Sequence, residues 1–194
     1  MIASLTGTLE SLGGDGAIIN VGGIGFQVYM PTSTLSVLGV VGKEVKLYTH
    51  LHLREDNVAL YGFKSSEELG LFQMLIGVSG LGPRLALAML SAMDAEKLIV
   101  AIATGSADLL TAIPGIGKKM ASRLILELKD KIGTGWITTP AAGLVQESAD
   151  VVAALVSLGY SVAEASRAVA TLSPTADLSL EEKIKLALQY LGGK

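Results

Sequence analysis

The residues whose types and spacing suggest chemistry are cations placed just behind paired glycines. In Ile113-Pro-Gly-Ile-Gly-Lys-Lys119, an apolar residue leads into a Pro-Gly-Ile-Gly turn, and Lys118, Lys119 and Arg123 follow it. A turn of this kind feeding a helix brings unpaired backbone N–H groups, the positive end of the helix dipole and two ammonium groups to one spot. That combination suits a phosphate. The pattern occurs a second time at Val78-Ser-Gly-Leu-Gly-Pro-Arg-Leu-Ala86. Aligning Gly80 with Gly115 also matches Gly82 with Gly117, Arg84 with Lys119, Ala86 with Ala121 and Leu90 with Ile125. Two copies of one supersecondary unit are expected.

One Gly-x-Gly turn alone is equally consistent with a plain αα-hairpin whose corner needs glycine. Repetition supplies the specificity, because in both copies a cation stands two positions after the second glycine and an alanine four positions after it. The candidate nucleic-acid contacts are therefore Gly80, Gly82, Arg84, Gly115, Gly117, Lys118, Lys119 and Arg123. A nucleotide-triphosphate loop is excluded: the first glycine of that motif would fall on Ala112, and Lys119 stands where it needs Ser or Thr. No Gly-x-Ser-x-Gly elbow is present, there is no cysteine, and neither histidine has a recognisable catalytic context. No catalytic residue, cofactor or metal is assigned.

A second group of interest is acidic. Arg54-Glu55-Asp56-Asn57 interrupts an alternating apolar pattern that resumes at Val58, which places Glu55 and Asp56 at a hairpin tip. A solvated turn, an electrostatic probe and half of a metal site are all compatible with that position. His50 and His52 share one face of the preceding strand, but without a third ligand they read as surface or interface residues.

The elements that must carry these groups can be read from periodicity. Residues 1–63 hold five short alternating or β-branched runs, at 5–12, 17–21, 26–30, 45–53 and 58–63, punctuated by Gly13-Gly14, Gly22-Gly23 and Gly42. Five such strands suggest a small OB-type barrel. In the fourth, Val45, Leu47, Leu51 and Leu53 fall on one face and Lys46, Tyr48, His50, His52 and Arg54 on the other. Phe26, Tyr29, Tyr48, Tyr61 and Phe63 mostly fit core positions, so a base-stacking platform is poorly supported.

From Ser66 the period changes to that of helices. Leu69, Phe72, Gln73, Leu75 and Ile76 belong to the first helix of a hairpin, and Leu85, Ala88, Met89 and Met93 to the second, with Pro83 in its first turn. A helix capped by Asp94 and a short one capped by Ser106 over 107–111 lead to the second turn. Beyond it, Ala121, Leu124, Ile125 and Leu128 form an inward stripe, with Lys118, Lys119 and Arg123 off it. Gly133-Thr-Gly-Trp-Ile-Thr-Thr-Pro-Ala-Ala-Gly143 has no period and reads as a linker containing Trp136. Helices are then expected over 150–158, about 161–171 and about 179–191, the last two opened by capping boxes at Ser161-Val-Ala-Glu164 and Ser179-Leu-Glu-Glu182.

Composition agrees with this division. Residues 1–63 carry three Lys/Arg against five Asp/Glu, residues 64–133 eight against seven, and residues 134–194 four against six. Only the segment holding both glycine turns is net positive, so a nucleic-acid surface would be local. Half of the 194 residues are hydrophobic, yet no run approaches the ~18 to 20 apolar residues of a membrane span. With no basic and apolar leader at the N-terminus and no cysteine, a cytoplasmic setting is expected.

Taken in order, Met1-Ile, Arg54-Glu-Asp, Tyr61-Gly-Phe, Gly80-Leu-Gly-Pro-Arg-Leu-Ala-Leu-Ala, Pro114-Gly-Ile-Gly-Lys-Lys and Leu155-Val-Ser-Leu-Gly-Tyr160 resemble the RuvA family of Holliday-junction-binding subunits. The resemblance implies a multi-domain α+β fold. An OB-type barrel with an acidic pin spans 1–63, a tandem helix-hairpin-helix domain 64–133, a flexible linker 134–146, and a three-helix motor-binding bundle 147–194. It implies a non-catalytic subunit, a homotetramer or a face-to-face octamer, that binds four-way junction DNA by structure rather than sequence. It further implies a role in recombination, repair and the SOS response to DNA damage. Partners implied are the hexameric RuvB ATPase, through 147–194, and a RuvC-type resolvase, with no membrane. Arg54, Glu55 and Asp56 would form the pin at the junction centre. The rival readings are a metal-dependent, structure-selective nuclease and a general double-strand scaffold. Arg84 stands where lysine is frequent in the family, and Gly105-Ser-Ala-Asp is less charged than in many relatives.

Overall fold

The structure, a computed structural model, describes residues 1–55, 57–135, 140–172 and 178–192. It divides into two compact units, Met1–Ala95 and Glu96–Lys194.

The first unit begins with the barrel. Strands β1 (Ser4–Leu12), β2 (Gly16–Val21), β3 (Ile24–Tyr29), β4 (Glu44–Leu53) and β5 (Val58–Phe63) close in the order β1-β2-β3-β5-β4. Antiparallel ladders join all neighbours except β3 and β5, which run parallel at Tyr29 and Tyr61. Alternation fills the interior: Leu5 and Leu9 from β1, Ala17 and Ile19 from β2, Val28 from β3, Val45 and Leu47 from β4 and Leu60 from β5 form one core. Leu9, Ile19 and Leu47 are fully buried, and each contributes about 1.5–3 kcal/mol by leaving water. The inward pattern of β4 ends before Leu53, which is 65% exposed together with its ladder partner Val58. Those two residues form the last ladder pair before the hairpin tip.

A helix that periodicity does not reveal, α1 (Thr32–Val37), links β3 to β4. It is too short for a 3.6-residue period to register, and its Thr and Val content favours strands. Two further helices complete the unit, α2 (Ser66–Ile76) and α3 (Pro83–Ala92). Ser65 caps α2 by accepting the Glu68 N–H. In α2 the buried side chains are Glu68, Leu71, Phe72 and Leu75, and in α3 they are Ala86, Met89 and Leu90. The stripe of α3 is thus rotated from the one expected, with Leu85, Ala88 and Met93 half-buried.

The second unit holds α4 (Ala95–Ala103), α5 (Ala107–Thr111), α6 (Lys118–Gly135), α7 (Pro140–Ser157), α8 (Val162–Thr171) and α9 (Leu180–Gly192). Ser106 precedes α5 without capping it. Its hydroxyl pairs with Thr104 Oγ1 at 2.9 Å in a nearly buried site, which removes it from the helix end. Along α6, Ala121, Leu124, Leu128 and Ile132 are buried, and Ile125 is half-buried.

Helix α7 starts at Pro140 rather than at 150, because proline is tolerated where a helix needs no N–H and two alanines follow it. Of the expected linker, 136–139, with Trp136, lie outside the described residues. Val151 and Leu155 of α7, Ala165, Ala168 and Val169 of α8 and Ala187 of α9 form the bundle core. Both expected capping boxes are present: Ser161 and Glu164 exchange bonds, as do Ser179 and Glu182. The Ser179 backbone N–H, and then its hydroxyl, hold the Glu182 carboxyl below its ordinary pKa. Among the described residues no helix is long and apolar enough to cross a membrane.

Candidate nucleic-acid interface

The two glycine turns share one backbone. In the first, Gly80 has φ of 86°, Leu81 donates its N–H to the Val78 carbonyl at 3.0 Å, and Ala86 donates to Gly82 at 3.1 Å. In the second, Gly115 has φ of 90°, Ile116 donates to the Ile113 carbonyl at 3.0 Å, and Ala121 donates to Gly117 at 2.9 Å. Val78 and Leu81 in one copy, and Ile113 and Ile116 in the other, are nearly fully buried. These apolar pairs pin each turn to its own hairpin, while Ala86 and Ala121, both fully buried, allow the helix after the turn to pack closely.

The glycines within each turn serve different ends. Gly80 and Gly115 occupy the left-handed region, where an L side chain would clash with its own backbone. Gly82 and Gly117 do not, and a Cβ built on either meets no atom within 4 Å. Among the described residues nothing therefore requires the second glycine. Its missing side chain opens the approach to the first N–H groups of α3 and α6, and no acidic residue lies in the first turn of either helix. Arg84, Lys118 and Lys119 are exposed beside these ends, and Arg123 is half-buried one turn further on. An anion reaching either turn would meet backbone donors and cations without displacing a side chain.

The acidic hairpin lies on the first unit. Arg54 donates its N–H to the Asn57 carbonyl at 2.8 Å, which closes the tip, and Glu55 is exposed. Asp56 lies outside the described residues. Arg54 is exposed, and its Nε donates to His52 Nε2 at 3.0 Å. On the face of β4 that carries them, the two histidines are half-buried. The His50 ring meets Phe72 of α2 edge-on at 5.6 Å, and His52 meets Tyr61 edge-on at 6.3 Å. Phe72 also stacks obliquely on Tyr61 at 5.2 Å and on Phe63 at 4.8 Å. Aromatic packing thus docks the first hairpin on the strands that lead to and from the pin.

The electrostatics of this face follow from burial. Partial burial, and then the neighbouring His52, push the His50 imidazole below its ordinary pKa. Burial raises the Tyr61 phenol, against the opposing pull of Arg84 and then, behind Tyr29, of Arg54. Among the described residues no group of three or more His, Asp or Glu converges as a metal site. Alternation along β4 places the histidines on one face, and only the tertiary structure shows that Phe72 of α2 packs against His50.

Comparison with known proteins gives three matches in chain order: "RuvA N terminal domain" over residues 1–62, "SAM-like Helix-hairpin-helix tandem" over 72–130 and "RuvA, C-terminal domain" over 146–192. A protein of Dehalococcoides mccartyi named Holliday junction branch migration complex subunit RuvA is 52% identical over the full length of both chains. Proteins of the same name from Herpetosiphon aurantiacus and Chloroflexus aggregans are 45% identical over all of both chains and 46% identical over 99% of both. An OB-like barrel, paired glycine turns of one geometry and a C-terminal bundle are the architecture those matches describe, and the chain belongs to the RuvA family.

Proposed function

We propose that this protein binds four-way DNA junctions through their phosphate backbone and serves as a non-catalytic subunit of a branch-migration complex in the cytoplasm. The observation that carries the reading is the second glycine of each turn. Neither backbone conformation nor packing requires Gly82 or Gly117, yet each leaves open the N-terminus of a helix flanked by cations. A phosphate accounts for that opening, and its contacts carry no base sequence. One such turn contributes only about 0.3–1 kcal/mol from the helix end, so affinity and shape selection must come from repetition. A homotetramer, alone or paired as an octamer, repeats both turns about a four-fold axis that matches four DNA arms.

In this reading Arg54, Glu55 and Asp56 stand near the crossing point. Their carboxylates oppose phosphates, which disfavours a continuous duplex and separates strands into the arms. The bundle, residues 147–194, engages the hexameric RuvB ATPase, and its exposed Leu158, Val162, Leu180 and Tyr190 provide apolar area for a protein partner. A RuvC-type resolvase joins the same complex.

Mobility-shift titration of a labelled four-way junction and of linear duplex at one salt concentration, with and without Mg²⁺, tests the proposal. Tight, uncut junction complexes with much weaker duplex binding are expected. Equal affinity for both would leave only a general duplex scaffold, and cleavage of the junction would make the protein a nuclease.

A further inference from the structure

Three consecutive residues of α1 each bond to the first hairpin. The Thr32 N–H donates to Ser91 Oγ at 3.0 Å, Ser33 Oγ donates to the Leu90 carbonyl at 3.1 Å, and Thr34 Oγ1 donates to Glu68 Oε2 at 3.0 Å. The first two bonds hold α3 and the third holds α2. Thr34 is fully buried and Glu68 is 4% exposed. The Glu68 carboxylate also receives Lys64 Nζ at 3.2 Å on Oε1 and the Lys64 N–H at 3.4 Å on Oε2. Lys64 directly follows Phe63, the last residue of the strand that returns from the pin. One buried carboxylate therefore ties together the barrel helix, the first helix of the hairpin and the end of the pin strand.

Stability alone does not call for this arrangement. The Lys64 side chain is half-exposed, so its pairing with Glu68 is screened by water and adds little, while burying the carboxylate itself costs free energy. Directionality is what an apolar contact would lack: hydrogen bonds weaken steeply with angle, so three of them from adjacent residues to two helices restrict rotation as well as distance. The aromatic contacts of Phe72 beside them supply cohesion but tolerate sliding.

We infer that the Thr32-Ser33-Thr34 run and Glu68 form a latch that sets the angle between the first hairpin turn and the acidic pin, and thereby the selectivity for junction over duplex. These are positioning residues: they touch no DNA themselves, and they hold Gly80–Arg84 at a fixed offset from Glu55 so that both engage one junction together. The inference rests on the junction-binding function proposed above, so its test has one arm that needs no DNA.

The chain has no cysteine, so Ser79→Cys and Val58→Cys introduce a unique pair of spin-label sites at the hairpin turn and the pin base. Measured by pulsed electron–electron resonance, with the labelled full-length chain diluted in unlabelled chain, the interspin distance should be narrowly distributed. Thr34→Val, which keeps the shape and removes the hydroxyl, should broaden or shift that distribution, and Thr34→Ser should restore it. Ser33→Ala, at a less buried bond, gives a weaker version of the same change should Thr34→Val fail to fold. In the second arm, Thr34→Val should lower the junction-to-duplex affinity ratio by about five- to tenfold, the scale of one buried hydrogen bond removed. Thr34→Ser should restore the ratio, and the loss should vanish when Glu55→Gln/Asp56→Asn has already removed the pin carboxylates. An unchanged distance distribution in both Thr34→Val and Ser33→Ala overturns the latch, as does a ratio that serine does not restore. A wild-type chain that shows no junction preference overturns the proposed function instead, and the latch is then decided by the distances alone.

Discussion

In the first hairpin, the helix after the turn begins with Pro83, which has no N–H, and one exposed cation, Arg84, stands at its start. In the second, Lys118 occupies the equivalent place with its N–H intact, Lys119 follows it, and Arg123 comes one turn later. The first hairpin belongs to the same compact unit as the barrel and pin, tied by the Thr34–Glu68 bond and by Phe72, whereas α6 belongs to the other unit. Turns of one geometry thus occupy different settings: one shares a unit with the pin and carries one cation at its helix start, the other belongs to the second unit and carries two. The difference suggests a division of labour, with geometry set by the first and most of the electrostatic attraction supplied by the second.

The largest expected effect asks whether the second hairpin depends on the bundle in its unit. Deleting residues 140–194 should abolish stimulation of the ATPase while leaving junction affinity within about twofold, since phosphate contacts dominate binding. A deletion that also lost junction binding would show that α6 needs the bundle for its fold. Next, Lys118→Ala/Lys119→Ala should weaken junction binding about a hundredfold and Arg84→Ala about tenfold, at one decade per cation removed. The salt slope should fall by about one for each phosphate that is no longer neutralised. Equal losses from the two hairpins would remove the asymmetry.

Substitution of the glycines separates conformation from access. Gly117→Ala and Gly82→Ala place a methyl group in open space at ordinary φ, so the melting temperature should hold or rise slightly while DNA affinity falls. Gly115→Ala and Gly80→Ala force a side chain to positive φ and should cost about 1–2 kcal/mol of stability. A Gly117→Ala variant that binds DNA normally would remove the support for phosphate access at that turn. A smaller effect is expected at the pin: Glu55→Gln/Asp56→Asn should raise duplex affinity a fewfold and alter the branch-migration rate, and no change in either would refute the repulsion argument.

What is legible in the chain follows the range of the interactions involved. Five strands and both turns can be read because strand alternation and the Gly-x-Gly spacing are local signals, and their observed bounds lie close to those expected. What escapes is non-local. Thr34 and Glu68 are 34 positions apart, and nothing in either neighbourhood marks them as partners. The face of β4 bearing His50 and His52 alternates like a solvated one, and Phe72, which covers His50, comes from the helix beyond the next strand. Helix α1 is hidden because Thr, Ser and Val over six residues carry no helical period, while bonds from Thr32 and Ser33 to Ser91 and Leu90 help to hold it. Of the site residues, Arg84, Lys118 and Lys119 lie exposed at the helix starts, and Arg54 at the pin bonds to His52, a contact between near neighbours on one strand face that alternation alone does not reveal.

The smallest expected effect tests whether the first hairpin alone is docked through the histidine face. His50 is held below its ordinary pKa, near 6.5, by partial burial and then by His52, and it packs on Phe72 with Gln73 Nε2 at 3.5 Å from its Nδ1. As pH falls through that value the unfolded chain takes up the proton before the folded one, so more protons are bound in the unfolded state and stability must rise with pH across the window. The contribution of His50 is therefore complete above about pH 6.5 and is lost progressively as pH drops towards its folded value. Carboxylates such as Glu67, held below its ordinary pKa by its own backbone N–H and then by Ser65, lose their contribution at more acid pH and affect every variant alike. Between pH 7.5 and 5.5, wild type should thus lose more melting temperature than His50→Gln, and amide exchange should accelerate in α2 while α6 is unchanged. Parallel melting shifts in the two proteins, or equal acceleration in α2 and α6, would show that the strand face does not distinguish the hairpins and that their different settings have no bearing on how firmly each is held.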